Sequence, residues 1–431
     1  MGKRVALLMV CFIFVSTVIG CIAEEEITLK MWTFIDPTDE SGRGKVIGNV
    51  IDEFEKEFPN VKIVTELQTW NELATKQIVG HFTDSAPDVM WTPYESIAGV
   101  IETGAYGALD DIVVKDWSET FINDIDDALW GSCTKDGKHY FVCIARSCYG
   151  FLYRKDLFEE AGIDVNSIKN IYDFAEQLKK IRRIDENGMN IYPMGLAYNT
   201  SSTEPGLLLM ALASSGDLFN DDGTANFNTP VGVKALELQK ALIDDYQIVP
   251  ESAFSYNIDD VQTDFSAGKY ACIIGSSARF TTIRDNSTFD PENLGFLAIP
   301  QIVEGKDTMC VSGGWCLGFW SKSPHAYEAA KFIERFASAE VDWMMVETGG
   351  QVPVNKSTWD NHAEFFLQEE NQWMEVCQNI MENRTIPYPS TPVEGVRDYL
   401  YEAMQDYYLN GMSAEAALEK AEANFNEANF E

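Results

Sequence analysis

"ITLKMWTF" (Ile27–Phe34) and "GKVIGNVIDEFEKEFPNVKIVTELQ" (Gly44–Gln68) decide the fold of this chain. The first alternates apolar and polar residues and is rich in β-formers, so it reads as a strand. In the second, Val46, Val50, Ile51, Phe54 and Phe58 recur at helical spacing. Pro59-Asn60 stops that helix, and "VKIVTEL" (Val61–Leu67) reads as another strand. Strand, helix and strand at these lengths make a βαβ unit, which predicts an α/β fold around a parallel sheet.

The same logic carries along the chain. "ELATKQIVGHF" reads as a helix and "APDVMWTP" as a short strand ending near Trp91 and Tyr94. "KHYFVCIARSCYGFLYRKDLFEEAGID" holds strand residues, then a short helix that Gly162 ends. Helices are predicted over Ile171–Ile184, Pro205–Ser214 and Val231–Tyr246. "DFSAGKYACIIGSSARF" gives a helix end, a buried strand and a polar turn, while "LGFLAIP" and "GGWCLGFW" give two more apolar strands. "PHAYEAAKFIERFAS" is an amphipathic helix with a proline start, and the C-terminal third is helical. No internal repeat or low-complexity linker interrupts the pattern.

The chain has 431 residues, comfortable for two domains, and 45% hydrophobic content, enough for a sizeable core. Asp and Glu number 68 against 32 Lys and Arg, a formal net charge of −36. That balance repels phosphate backbones and anionic lipid, so nucleic acid is not an expected partner. Upstream of the first strand, Lys3-Arg4 and the apolar Val5–Ile19 form the n- and h-regions of a secretion signal. The apolar run is shorter than the ~20 residues of a spanning helix. It ends in V-I-G-C (Val18–Cys21), which resembles a prokaryotic lipobox. The expectation is a signal peptide over 1–20, a lipidated Cys21, a spacer over 21–30, and a body held outside the cytoplasm on the cell membrane.

Seven cysteines then remain: Cys133, Cys143, Cys148, Cys272, Cys310, Cys316 and Cys377. Disulfides are permitted outside the cytoplasm, and an odd number leaves at least one free thiol. "GSCTKDGKHYFVC" reads as a hairpin around Asp136-Gly137, which could bring Cys133 to Cys143; buried free thiols are the alternative. The four histidines are scattered, so no metal site is expected, nor any cofactor.

Taken in order, these stretches resemble the extracellular solute-binding proteins of ABC importers, specifically the large carbohydrate-binding family 1 that includes maltodextrin-binding proteins. "ITLKMW" with "IDEFEKEFPNVKIV" looks like that family's opening strand, helix and second strand, and "APDVMW" like its P-D-hydrophobic turn. "DGKHYFVCIARSCYGFLYRKDLFEEAGID", "DFSAGKYACIIG", "SPHAYEAAKFIERFAS" and "TGGQVPV" are similar to its later motifs. Three departures fall near the expected cleft. The sequence has Gly275-Ser276-Ser277 where G-P-W is frequent, "LASSGDLF" where A-G-G is common, and "CIA" followed by Arg146 in place of V-P-Y.

The resemblance implies a two-lobed, periplasmic-binding-protein-like fold with several hinge crossings, placed near Cys143, Leu297 and Ser321, and a cleft between the lobes. It implies an N-terminal lobe of 31–142 plus 298–322 and a C-terminal lobe of 143–297 plus 323–431. It further implies a non-enzymatic monomer that captures a sugar or oligosaccharide and delivers it to membrane permease subunits. No Walker A loop is present in the chain, so the ATPase is expected on another chain.

A sugar offers C–H faces that lie on aromatic rings and hydroxyls that need donors and acceptors. In open α/β sheets ligands sit beyond the carboxyl ends of strands. Strand-end position and the resemblance together point to Trp32, Trp91, Tyr94 and Trp315, the last beside Gly314, with Trp70 after the second strand. Asp36, Glu95 and Arg146 are the charged candidates, since charge-assisted bonds hold hydroxyls best. Tyr198, Asn199, Ser277 and Arg279 are candidates from the second lobe. An exported glycoside hydrolase acting on oligosaccharides is the alternative, with paired carboxylates in a cleft. A lipid-tethered adhesin without a small ligand is a further one.

Overall fold

The computed structural model describes residues 26–430 apart from 41, 182, 185–187, 199–205, 311 and 386–395; the side chains of Glu95 and Ser312 are also outside the description. Strands β1 (Ile27–Thr33) and β2 (Val61–Leu67) pair in parallel, with Ile27 opposite Val61 and Thr33 opposite Leu67. Leu29, Met31 and Thr33 point into the core at the period of two that a half-buried strand requires. The helix Gly42–Glu57 joins the two strands and buries Val46, Ile47, Val50 and Phe54 on one face. Strand β3 (Val89–Pro93) adds in parallel on the other side of β1 and is buried throughout, as an interior strand covered on both faces must be.

The centre of the molecule is β4 (Val142–Arg154), thirteen residues long. Around it lie β5 (Tyr192–Gly195), β6 (Tyr270–Ser276), β7 (Leu294–Leu297) and β8 (Ser312–Phe319). The eight strands run in the order β2-β1-β3-β8-β4-β6-β5, with β7 also on β4. The first half of β4 pairs with β8 and the second half with β6 and β7.

That division marks two hydrophobic cores. One gathers residues from Leu29 to Ala145 and from Cys316 to Met345; the other gathers Cys148 to Cys310 and Phe366 to Phe425. The chain therefore crosses between lobes in mid-β4, again between Cys310 and Cys316, and again after Met345, where Val346 and Val352 join the second core and Val354 the first. Leu297 is no crossing, because it pairs with Phe151 inside the second lobe. Ser321 is none either: its N–H and hydroxyl donate to the carbonyls of Ala105 and Gly104 in the first lobe.

Two expected boundaries shift accordingly. Residues 298–310, expected in the first lobe, pack Ile299, Ile302 and Cys310 in the second core. The helix Ala326–Phe336, assigned to the second lobe with 323–431, packs Ala329, Phe332, Ile333 and Phe336 in the first core. Its amphipathic pattern required a buried face but did not say against which core.

The small hairpin around Asp136-Gly137 forms, pairing Thr134 with His139 and Lys135 with Lys138. It does not bring Cys133 to Cys143 as a disulfide: all seven described cysteines are free and buried. The hairpin closes at Tyr140, whose N–H donates to the Cys133 carbonyl, while Cys143 lies further on, in β4, opposite Cys316. Among the described residues no helix is long and apolar enough to cross a membrane, and no group of three or more metal-ligating side chains could hold an ion.

Candidate ligand-binding cleft

Between the lobes lies a cleft that opens to solvent and encloses about 90 Å³, less than the roughly 300–1,000 Å³ of a typical small-molecule site. Its walls come from strand ends, as expected of ligand sites in open sheets. Phe34 follows β1, Arg43 stands in the first turn of the helix Gly42–Glu57, and Trp70 opens the turn after β2. The crossings contribute Ser147 and Tyr149 from β4 and Gly313, Gly314 and Trp315 from β8. The second lobe contributes Ser276, Ala278 and Arg279 at the end of β6, and Ile258 and Gln262 from the helix Ile258–Ser266.

The aromatic wall is a stack in depth. The rings of Phe34 and Trp315 lie 4.1 Å apart at a tilt of 32°. Behind them Trp91 is wholly buried, edge-on to Phe34 at 5.6 Å and 6.3 Å from Trp315. Trp91 therefore fixes the two half-buried rings and lends no face of its own to the cleft. Strand β8 can come this close to β4 because it lacks side chains there. A Cβ on Gly314 would lie 2.4 Å from the Ala145 carbonyl oxygen, and one on Gly313 would lie 2.8 Å from the Ser147 hydroxyl. The register shifts between Trp315 and Cys316, a bulge of the kind that re-aims a side chain.

Two guanidinium groups face this space. Arg43 lies 5.5 Å from the Phe34 ring centre and is walled in by protein while still reaching solvent through the cleft. Burial, and secondly the charge of Arg279, hold its pKa down to about 10, so it stays cationic at neutral pH. Arg279 reaches Asp259 only at 3.6 Å, in an exposed pair. The Thr348–Gly350 turn backs Arg43. A Cβ on Gly349 would stand 3.1 Å from the Arg43 Cγ, and one on Gly350 would run into Thr281.

Of the residues singled out from the sequence, the structure brings Trp70, Arg279, Gly314 and Trp315 together around the cleft. Trp32 instead donates its indole N–H to Glu66 at 2.9 Å. Asp36 is exposed, and one of its oxygens accepts from both the N–H and the hydroxyl of Thr38, which lowers its pKa. Tyr94 directs its hydroxyl to Ser132 at 2.7 Å. Ser277 lies between the lining residues Ser276 and Ala278 but is buried, and its hydroxyl accepts the Cys148 N–H. Tyr198 is core, 1% exposed, with its hydroxyl on the Gln239 carbonyl. Arg146 lines a different cavity, paired with Asp126 at 2.8 Å. Asn199 and the Glu95 side chain lie outside the described residues.

Sequence reasoning missed Phe34, Arg43, Ser147, Tyr149 and Gln262. Phe34 was within reach of the strand-end rule, since it sits one residue past β1 whereas Trp32 lies inside it. Arg43 carried no such signal: a charged residue opening a helix is ordinarily solvated, and only the tertiary arrangement turns this one toward the cleft.

A family model described as bacterial extracellular solute-binding protein matches residues 38–343. A relative in Brucella abortus (strain 2308), named as a binding protein, is 25% identical over 88% of this chain and 89% of its own. The arabinooligosaccharide-binding protein of Bacillus subtilis (strain 168) is 22% identical over 88% of this chain and 86% of its own. Among solved structures, an ABC transporter solute-binding protein from Thermotoga lettingae bound with α-D-tagatose superposes with a TM-score of 0.78. It is 23% identical and the match covers 93% of this chain and 99% of that one.

Proposed function

Because this chain belongs to the bacterial extracellular solute-binding proteins, we propose that it captures a sugar or oligosaccharide outside the cytoplasm and hands it, unaltered, to the membrane subunits of an ABC importer. The observation that carries this reading is the cleft's composition. Phe34 and Trp315 from one side offer ring faces, and Gln262, Ser276 and Arg279 from the other offer hydrogen-bonding groups. That pairing suits a guest with apolar C–H faces and a rim of hydroxyls. The relatives bound to or named for sugars support it.

In this reading the lobes are residues 26–145 with 316–345 and Val354, and 148–310 with the rest of 346–430. Trp70, Arg279, Gly314 and Trp315 hold the ligand together with the residues the sequence did not flag. Ligand that bridges both lobes favours the shut state by its extra contacts there, and the permease reads that state. Cys21 carries lipid, which the V-I-G-C motif behind a basic and apolar leader supports. The protein works as a monomer without cofactor, and the ATPase is a separate chain.

The test is a thermal-melting screen against mono- and oligosaccharides, followed by recovery of the ligand. A sugar at about 100 times its Kd adds about 2.7 kcal/mol, a midpoint rise of several degrees, and the recovered sugar is expected intact. New reducing ends on prolonged incubation would make the protein a hydrolase. A flat response across the panel would remove the small-ligand reading.

A further inference from the structure

Building on the carbohydrate reading, we propose that the solute carries an anionic group, a carboxylate or a phosphate ester on a sugar, seated between Arg43 and Arg279. The chain has 68 acidic against 32 basic residues, yet the described residues that line the cleft include two arginines and no Asp or Glu. A site assembled from the average surface of this protein would show the opposite balance. The two arginines come from opposite lobes: Arg43 from the first lobe's opening helix, Arg279 from the turn after β6.

Neither charge is well satisfied from within the protein. Among the described residues Arg43 has no ion pair, only the ring of Phe34 beneath it. Arg279 has the loose contact to Asp259, whose side chain is 58% exposed and so is held mainly by water. Each guanidinium is thus free to offer its planar fork to a carboxylate or phosphate, the geometry in which arginine surpasses other donors. The Thr348–Gly350 turn packs against the Arg43 stem, which leaves that side chain little room to swing away.

Charge and closure are then coupled. With the cleft empty, the two cations repel across the gap and oppose its narrowing. An anion between them turns that repulsion into a bridge from lobe to lobe, so the negative group binds better in the shut state than in the open one. A neutral sugar of the same size stacks on Trp315 but leaves the repulsion in place. The long-range field of a −36 protein disfavours anions, so their capture needs this local pair.

The experiment is calorimetric titration of the intact protein with matched pairs: galacturonate and galactose, glucose 6-phosphate and glucose, and the di- and trisaccharides of each acid with their neutral counterparts. The expected result is at least tenfold tighter binding by the acidic member of one pair. The two acid types tell carboxylate from phosphate. Arg43→Gln and Arg279→Gln are each expected to erase that preference, read as the ratio of acidic to neutral affinity within the same variant. Arg279→Lys, which keeps charge but not the fork, is expected to fall between. Melting of the empty variants reports whether they fold, and loss of like-charge repulsion is expected to leave their midpoints unchanged or higher. Equal or tighter binding of the neutral member overturns this inference and leaves the carbohydrate reading standing. Absence of binding by every member of every pair overturns both.

Discussion

At the scale of single residues, Trp315 is where core packing reaches the wall of the cleft. Its ring lies against Phe34, 6.3 Å from the buried Trp91, and lines the cleft. Ring stacking is worth about 0.5–1.5 kcal/mol beyond area burial, and the buried area of a sugar face adds to that. Trp315→Ala is therefore expected to weaken sugar binding by at least about 1.4 kcal/mol, tenfold in Kd. Trp91→Phe, which removes no cleft surface, is expected to weaken it less. Calorimetric titration of both variants checks the order; a larger loss from Trp91→Phe would move the binding face elsewhere. Trp315 was legible in the sequence because Gly313-Gly314 stands beside it and the strand ends there. Arg146 lines another cavity, and the sequence could not show which. A lone cation after a strand can serve a ligand or an ion pair, and only the distance to Asp126 separates the two.

At the scale of elements, the opening strand, helix and strand were readable because their buried faces repeat at periods of two and 3.6. The lobe to which the helix Ala326–Phe336 belongs was not, since periodicity names a face and not its partner. The neighbouring helix Ala339–Glu347 shows what the assignment hides. Its Asp342, 4% exposed, accepts hydrogen bonds from the N–H groups of Val354 and Asn355 at 2.9 and 3.0 Å and from the Thr358 hydroxyl at 2.6 Å. One carboxylate thus ties the third crossing back to the first lobe. Burial raises its pKa from 3.8 to about 6, against the lowering effect of those three donors. The folded state then binds the proton more tightly than the unfolded chain. Between about pH 4 and pH 6 the folded state holds more protons, so stability from this group falls as pH rises and levels off above 6. The span is up to about 3 kcal/mol. In Asp342→Asn this slope is expected to vanish, so the loss of about 1–3 kcal/mol from the unsatisfied donors shows fully near pH 4 and shrinks as pH rises toward 6 and the wild type loses stability. Denaturant unfolding of both proteins from pH 4 to pH 7 measures it. Parallel curves for the two would show that Asp342 titrates as it does in the unfolded chain.

At the scale of the whole molecule, the lobes are joined by strands, by bonds from Asn355, Lys356 and Ser357 to Asp124 and Asp127, and by the Arg146 guanidinium, and no disulfide among the described residues helps. Arg146 sits where β4 leaves the first core. It donates to Asp126 at 2.8 Å in the first lobe and to the Met381 carbonyl at 3.2 Å in the second. It is 7% exposed, and its Nε has no partner among the described residues. A swing of the lobes from 1:99 to 99:1 requires about 5.5 kcal/mol of differential ligand affinity, so it matters whether this link resists the swing or merely supports the fold. Asp126→Asn separates the cases. The other Asp126 oxygen accepts the N–H groups of Ala128 and Leu129, a cap that an asparagine oxygen maintains. What is lost is the charge facing Arg146. Breaking a fully buried pair costs about 3–5 kcal/mol; Asp126 keeps 26% of its side chain exposed, so about 2 kcal/mol is expected from denaturant unfolding. Arg146 pins the crossing, about which both states turn, so sugar affinity in the same variant is expected to stay within about threefold. A large change in affinity with unchanged stability would instead make the pair a latch that distinguishes the open state from the shut one.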